Sequence, residues 1–395
     1  MINLIKSSFV SSLSFLLRVS STFLLLTYFY NFYDSTVNET ISVAYFVALI
    51  GIIVSDFGLQ NYIQSTYSEN DYANDQLFSY LLGFKVGFIL FLNIVLISFL
   101  LLLSNLNIQD IVLIILVSNS IMIMNIVEVT LLKNRLTLEI RKELKYSAVS
   151  ILILLPMIGI NNILLSSIYL LLSRLTFVFI ILKRNIKIRV VNIFIEFKKI
   201  FLKVKYFLLD NVTLLFSINM DQLLIFALLG SLSYKDYLPY SRIVIIIISL
   251  IGILLPILLK SNLKIKGSSK FLKKLIFFTL VFFLILCMPI MFTLHDLVPM
   301  IFSNINPLHD ASITLLIIII LFRFLLGGTG FFLTVNGYQR QRFLSNVYSI
   351  IALIVLAFLY PIQNIQNILS LIAIYTLVVL FFYSINIIRM MYAKE

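Results

Sequence analysis

The sequence predicts an all-α membrane protein of about twelve transmembrane helices, arranged as two six-helix lobes around a central cavity. Three observations predict this fold. Of the 395 residues, 61% are hydrophobic and only 12% are charged, whereas soluble domains are roughly 45–50% apolar and about 25% charged. The apolar residues form blocks of about 20, the length of a helix that crosses roughly 30 Å of hydrocarbon. The longest basic connection divides these blocks six and six.

The spans follow from apolar runs bounded by polar or charged turns. The first six are predicted over residues 9–31, 42–64, 78–103, 111–131, 144–160 and 163–182. The second six are predicted over residues 206–229, 237–259, 271–292, 312–335, 343–360 and 368–388. Strands of a membrane barrel would alternate in polarity, and the continuous run from Ile243 to Leu259 does not.

The connection between the two halves predicts three regions in the chain. Residues 1–182 form an N-terminal lobe, 183–205 a cytoplasmic amphipathic linker, and 206–395 a C-terminal lobe. Within the linker, phenylalanines alternate with lysines, as expected for a basic helix that lies in the membrane interface. These residues are Phe194, Phe197, Phe201, Lys198, Lys199 and Lys203.

The distribution of basic residues predicts the orientation. Every Lys and Arg outside the predicted spans falls on one side of the membrane, except Lys235. Because basic residues in short loops stay in the cytoplasm, both termini are predicted to be cytoplasmic. The net charge of +13 is thereby explained without a nucleic-acid partner, and membrane lipids are the expected surroundings.

The sequence lacks the usual signals of metal, redox or enzyme chemistry. Cys287 is the single cysteine, and the two histidines, His295 and His309, fall in one predicted loop without metal-ligand spacing. The glycines at 327, 328 and 330 lie in an apolar helix, so no nucleotide-binding turn is present. All predicted outer loops are short. We therefore expect no catalytic residues, no metal and no cofactor.

Charged residues inside the predicted spans are the candidate functional groups. Each costs about 2.5–3.5 kcal/mol near a helix centre on the insertion scale. Lys85, Glu128 and Arg242 lie near span ends, where they can reach the interface. The deeper set is Arg18, Asp56, Arg174, Asp210, Asp221 and Arg323. Two interpretations remain open for the deeper set, a water-filled functional cavity or buried structural ion pairs.

Helical spacing favours the cavity. At 100° per residue, Ser7, Ser11, Ser14, Arg18 and Ser21 form one polar stripe, and Asp210, Thr213, Ser217 and Asp221 form another. Arg18 and Asp56 lie at similar depth and could pair, while Arg174 and Arg323 have no equally deep acid in their own helices. The arginines at 18, 174, 242 and 323 are the candidate substrate-binding cations. The aspartates at 56, 210 and 221 are their charge or coupling partners.

Short motifs add a family resemblance. Ser55-Asp56-Phe57-Gly58-Leu59 and the span that contains Ser217 to Leu223 resemble polysaccharide transporters, the O-antigen flippases of the multidrug/oligosaccharidyl-lipid/polysaccharide (MOP) exporter superfamily. Tyr237 to Arg242 is similar to that family's entry to its eighth span, and Arg18 sits where such proteins carry an arginine. The connection from Asn31 to Tyr45, after the first span, departs from the family pattern because it lacks both glycines that the family carries there.

The resemblance implies a function. Such proteins carry an undecaprenyl-diphosphate-linked oligosaccharide, such as an O-antigen or capsule repeat unit, across the bacterial cytoplasmic (inner) membrane by alternating access. Other glycan-assembly membrane proteins are the expected partners, and coupling to H⁺ or Na⁺ through the aspartates stays open. Two alternatives remain, a cation-coupled multidrug exporter of the same fold and a non-transporting membrane scaffold.

Overall fold

The computed structural model describes residues 2–55, 107–136, 140–185, 209–261, 268–302 and 304–392, together with most of 82–95. Every regular element in these ranges is helical. We number the helices α1 (Ile2–Phe32), α2 (Ser35–Ser55), α3 (Ile108–Leu136), α4 (Ile140–Leu152), α5 (Ile163–Asn185), α6 (Leu209–Ile218), α7 (Met220–Ser261), α8 (Ser269–Phe282), α9 (Met288–Ile301), α10 (Asp310–Val335), α11 (Gln339–Leu359) and α12 (Ile365–Tyr392). Further helical residues lie within 82–95.

The predicted all-α membrane architecture is confirmed. Within the described ranges, six helices are long and apolar enough to cross a membrane, and α6 with α7 makes a seventh candidate as a bent pair. The total of twelve spans, the cytoplasmic termini and the bacterial inner-membrane location stay predictions. Most of the predicted linker, 183–205, lies outside the described residues.

The helices form two compact units. One unit, here the N-terminal unit, comprises residues 9–212, and the other, the C-terminal unit, comprises residues 1–8 and 213–395. In the N-terminal unit, α3 packs against α2 and α5. Its core includes the side chains of Ala48, Val117 and Leu170, which are fully buried.

Helix α10 is the packing centre of the C-terminal unit, where it contacts α7, α8, α11 and α12. Small residues let these neighbours approach. A Cβ added at Gly328 would lie 3.2 Å from Thr279 Cγ2 of α8, and one added at Gly330 would lie 3.0 Å from Tyr383 Cε2 of α12. The two glycines therefore hold α10 close to both neighbours, and this fixes where its only arginine, Arg323, is presented.

Three predicted boundaries differ from the structure. The predicted span 271–292 continues through a π-helical turn, Phe283–Cys287, into α9, so residues 293–301 are helical and His295 is not in a loop. The predicted span 144–160 is interrupted after Leu152 and continues as a 3₁₀ turn that contains Pro156. A proline lacks the N–H that an α-helix needs, which explains this interruption.

The third difference is the stretch 230–236, predicted as a loop between two spans. The structure keeps it helical except at Gly230, where φ is 83° and ψ is −179°. Residues other than glycine rarely adopt this conformation. The chain thus changes direction at one residue rather than through a polar loop.

We expect Gly230→Ala to destabilise the protein by about 1–3 kcal/mol, because alanine is strained at this backbone conformation. Thermal unfolding followed by circular dichroism measures the effect. Gly159→Ala is the matched control, since its Cβ also meets open space and its φ is not positive. Equal stability of the two variants would contradict the strain argument.

Candidate binding sites within the two units

A buried ion pair lies inside the C-terminal unit. Arg323 of α10 donates from Nη2 to Asp221 Oδ1 of α7 at 3.0 Å. The side chains of Arg323 and Asp221 are 3% and 2% exposed. The counter-charge of Arg323 is therefore Asp221, which lies on another helix and 102 positions earlier in the chain.

A hydrogen-bonded shell surrounds this pair. Tyr237 donates its hydroxyl to Asp221 Oδ2, so both carboxylate oxygens are used. Nearby, the Tyr234 hydroxyl donates to Gln222 Oε1 at 3.1 Å, and Gln222 Nε2 donates to Asn219 Oδ1 at 3.3 Å. The contacts from Tyr237 and Arg323 hold the Asp221 carboxylate in one position in this conformation.

Asn219 explains how Asp221 is placed. The chain bends by 59° between α6 and α7 at this residue, and the Asn219 side chain donates to the Leu215 carbonyl at 2.8 Å. Asp221 consequently falls in the first turn of α7, where a negative charge is stabilised by the helix dipole. The predicted stripe from Asp210 to Asp221 does not lie on one straight helix, because the bend separates Ser217 from Asp221.

Most of the Arg323 guanidinium is not hydrogen-bonded. Its Nε and Nη1 atoms are buried and have no hydrogen-bond partner among the described residues. A guanidinium has five N–H donors in a planar fork that matches carboxylate and phosphate oxygens. Asp221 contacts only Nη2, so further acceptor oxygens can bind Arg323 without competing for the same nitrogen.

Arg174, the other buried arginine of the predicted deep set, lies in the N-terminal unit. Arg174 of α5 is 3% exposed and donates from Nη1 to the Ser120 carbonyl of α3 at 3.3 Å. Its Nη2 atom is buried without a partner in the described part of the chain. No described carboxylate forms a salt bridge with Arg174, in contrast to Arg323.

The other predicted site residues lie in α1, α6 and α7 or outside the described residues. Arg18 belongs to α1, and Asp56 lies outside the described residues, as does the Arg18 side chain, so their proposed pairing stays a prediction. Asp210 is buried near the start of α6, and Arg242 is partly buried within α7. The buried arginines 174 and 323 belong to different units.

The surroundings of two side chains differ from those that the sequence predicted. Lys85 was expected to reach the interface, but it is fully buried and donates to Asn125 Oδ1 at 3.4 Å. Ser14, a member of the predicted stripe on α1, hydrogen-bonds the Ser147 hydroxyl of α4 at 2.8 Å within the N-terminal unit. Ser14 therefore makes a hydrogen bond between two helices, instead of facing a solvated cavity.

Sequence reasoning did not include Ser167 and Tyr237 among the site residues. Ser167 is fully buried and its Oγ has no partner among the described residues. The sequence did contain a signal for Ser167, because Ser167 and Arg174 are seven residues apart and so share one face of α5. Tyr237 gave no such signal, since its partner Asp221 lies beyond the break at Gly230.

The comparisons with known proteins identify the fold. The structure is similar to the eukaryotic MATE transporter AtDTX14, with a TM-score of 0.64, 12% sequence identity and coverage of 98% of this chain and 96% of that chain. It is also similar to the MATE multidrug transporter DinF-BH, solved as a complex with a ligand, with a TM-score of 0.56, 13% identity and coverage of 98% and 95%.

A third similar structure is a MOP superfamily transporter from Pyrococcus furiosus, with a TM-score of 0.57, 11% identity and coverage of 99% and 96%. That protein is described as having a binding pocket of reverse polarity, which suggests a different function for it. No protein-family model and no curated protein sequence matches this chain. The chain is thus a polytopic membrane protein with the fold of MATE transporters of the MOP superfamily.

Proposed function

We propose that this protein is a membrane transporter that moves an anionic, lipid-linked oligosaccharide from the inner to the outer leaflet. The cargo of the proposal is the undecaprenyl-diphosphate-linked repeat unit that the sequence motifs imply. Such a cargo needs cations at membrane depth for its diphosphate and no covalent chemistry from the protein. The polyprenyl tail can remain in lipid while the head group crosses.

One observation carries the proposal. Each unit contains a buried arginine whose guanidinium is only partly hydrogen-bonded in the described part of the chain. The atoms without a partner are Nη2 of Arg174 and Nε and Nη1 of Arg323. A buried donor without an acceptor costs about 1–3 kcal/mol, and arginine does not lose its proton. Phosphate oxygens supply the missing acceptors, and Arg binds them through charge-assisted hydrogen bonds.

A cation-coupled multidrug exporter is the second candidate. Its support is the likeness in fold to DinF-BH, a MATE multidrug transporter, and the buried carboxylate of Asp221. In this candidate Asp221 would attract a cationic substrate or a coupling ion. The Arg323 contact weighs against it, because the ion pair already neutralises the carboxylate.

Reconstituted vesicles test the proposal. The purified protein is placed in proteoliposomes with a fluorescent undecaprenyl-diphosphate-linked saccharide, and a membrane-impermeant quencher reports the fraction of label in each leaflet. We expect protein-dependent translocation, reduced at least tenfold by Arg174→Ala and by Arg323→Ala, because each removes donors for the diphosphate. A parallel set of vesicles receives a cationic dye.

Arg389→Ala is the matched control, since this arginine is exposed at the end of α12. It should translocate the saccharide like the wild type. Undiminished translocation by both buried-arginine variants would overturn the role of these cations. Uptake of the dye without translocation of the saccharide would instead support the multidrug candidate, and failure of both assays would support a scaffold.

A further inference from the structure

Arg174 and Arg323, the buried arginines of the predicted deep set, differ in how their charge is balanced, and this difference is the basis of a further inference. Arg323 has a carboxylate partner at 3.0 Å. Arg174 has only the Ser120 carbonyl at 3.3 Å and no carboxylate partner among the described residues. Moving a charge out of water is costly unless it is paired. Within the described residues, the N-terminal unit therefore contains a buried positive charge at Arg174 without a carboxylate counter-charge.

A second unsatisfied group lies on the same helix face. Ser167 is fully buried, and its Oγ has no hydrogen-bond partner in the described ranges. Ser167 and Arg174 are separated by about 10 Å along the axis of α5. Long side chains on a helix tend to point back toward its N-terminus, which is the direction in which Ser167 lies from Arg174.

The neighbouring serine shows that the missing partner is specific to Ser167. Ser166 is equally buried, but its Oγ donates to the Ile163 carbonyl at 2.8 Å, a usual contact for a serine within a helix. Ser173, next to Arg174, likewise donates to the Leu170 carbonyl at 2.9 Å. Local backbone carbonyls thus satisfy the adjacent serines, whereas the Ser167 hydroxyl has no such partner in the part of the chain that the structure describes.

We propose that Arg174 and Ser167 form an oxyanion-binding site within the N-terminal unit, and that this site, rather than Arg323, is the principal anchor for a phosphate or diphosphate group. Arg174 supplies the positive charge and the Nη2 donor, and Ser167 supplies a hydroxyl. Arg323 is the weaker anchor because Asp221 offsets its charge. This inference rests on the proposed anionic cargo, but binding can be measured without transport.

Burial adds a condition to the proposal. Both side chains are shielded from solvent in this conformation, so an anion reaches them only when the helices around α5 separate. An anion would therefore bind better to a conformation in which these helices are apart. Its binding would shift the protein toward that conformation.

The experiment uses the full-length protein in phosphatidylcholine nanodiscs and inorganic pyrophosphate as the probe. We expect the thermal midpoint to rise saturably, by roughly 3–6 °C at about 100 times Kd, because the ligand binds the folded protein. Arg174→Gln should abolish the rise, and Ser167→Ala should weaken the apparent affinity about tenfold, as expected for one hydrogen bond to a charged group.

Further variants of the same protein serve as controls. Ser166→Ala should bind pyrophosphate like the wild type, because its hydroxyl is used by the backbone. Arg389→Gln removes an exposed positive charge and should keep the full response. Arg323→Gln should reduce the response less than Arg174→Gln does, because Arg323 is the weaker anchor. Arg174→Lys retains the charge without the planar fork, so it should bind more weakly than the wild type but better than Arg174→Gln, and it serves if the glutamine variant fails to fold.

A second arm distinguishes two sources of the oxyanion. Nanodiscs with added phosphatidylglycerol test whether a lipid head group occupies the site; an Arg174-dependent rise without pyrophosphate supports the site with a lipid phosphate as ligand. The inference is overturned if pyrophosphate and phosphatidylglycerol both leave the wild-type midpoint unchanged, or if Arg174→Gln and Arg174→Lys respond like the wild type. Arg174-dependent binding without any translocation in vesicles would keep the site and refute the proposed function.

Discussion

Asp221→Ala is expected to destabilise the C-terminal unit by about 3–5 kcal/mol. The substitution leaves Arg323 buried and charged without its carboxylate, and breaking one side of a buried ion pair carries a penalty of this size. It also leaves the Tyr237 hydroxyl without its acceptor. The free energy of unfolding, or the thermal midpoint by circular dichroism, measures the loss. Fluorescence is less suitable because the chain has no tryptophan.

A double-mutant cycle separates the pair from its surroundings. Asp221→Leu with Arg323→Met removes both charges and should be clearly less destabilising than Asp221→Leu alone, since no unpaired charge remains. Arg389→Met is the control for loss of an exposed positive charge and should stay within about 0.5 kcal/mol of the wild type. If the double variant is as unstable as the sum of its single variants, the ion pair does not couple the two residues.

Gly330→Val should destabilise the same unit by about 1–3 kcal/mol, the usual penalty for overpacking a close contact. Even a Cβ at this position would approach Tyr383 Cε2 to 3.0 Å. The Tyr383 ring cannot move freely, because it is 1% exposed and its hydroxyl donates to Asn346 Oδ1 at 2.9 Å. Thermal unfolding by circular dichroism reports the change.

The matched control for this substitution is Gly87→Val. Gly87 is also helical, but an added Cβ would meet no atom within 4 Å. We expect the control to remain near wild-type stability, apart from the modest helix penalty of a β-branched residue. A comparable loss in both variants would show that helix propensity, and not the contact between α10 and α12, accounts for the effect at Gly330.

The fold class was predictable because hydrophobicity is a strong and local signal. A run of about 20 apolar residues must be helical in lipid, where backbone groups have no water to bind. The runs at 312–335, 343–360 and 368–388 accordingly match α10, α11 and α12 within a few residues. Boundaries were less predictable where one residue decides them, as at Gly230, where the chain turns without any polar loop.

The buried charges show the limit of the same reasoning. The sequence identified Arg174, Asp221 and Arg323 as deep, because charges in apolar runs are easily seen, and burial of all three agrees with that depth. It did not pair Asp221 with Arg323, because the two residues are 102 positions apart and belong to different helices. The bend at Asn219 and the break at Gly230 help to decide which helices meet, and hydrophobic periodicity encodes neither of them.

The amino-acid sequence by itself determined that this chain is helical and embedded in a membrane, and it singled out the charges that lipid does not tolerate. Only the tertiary structure decided which of those charges are compensated. Compensation depends on angles and distances of a few ångströms between helices remote in sequence. This is why Arg323 has Asp221 as its counter-charge, while Arg174 in the other unit has, among the described residues, one backbone carbonyl and an unpaired nitrogen.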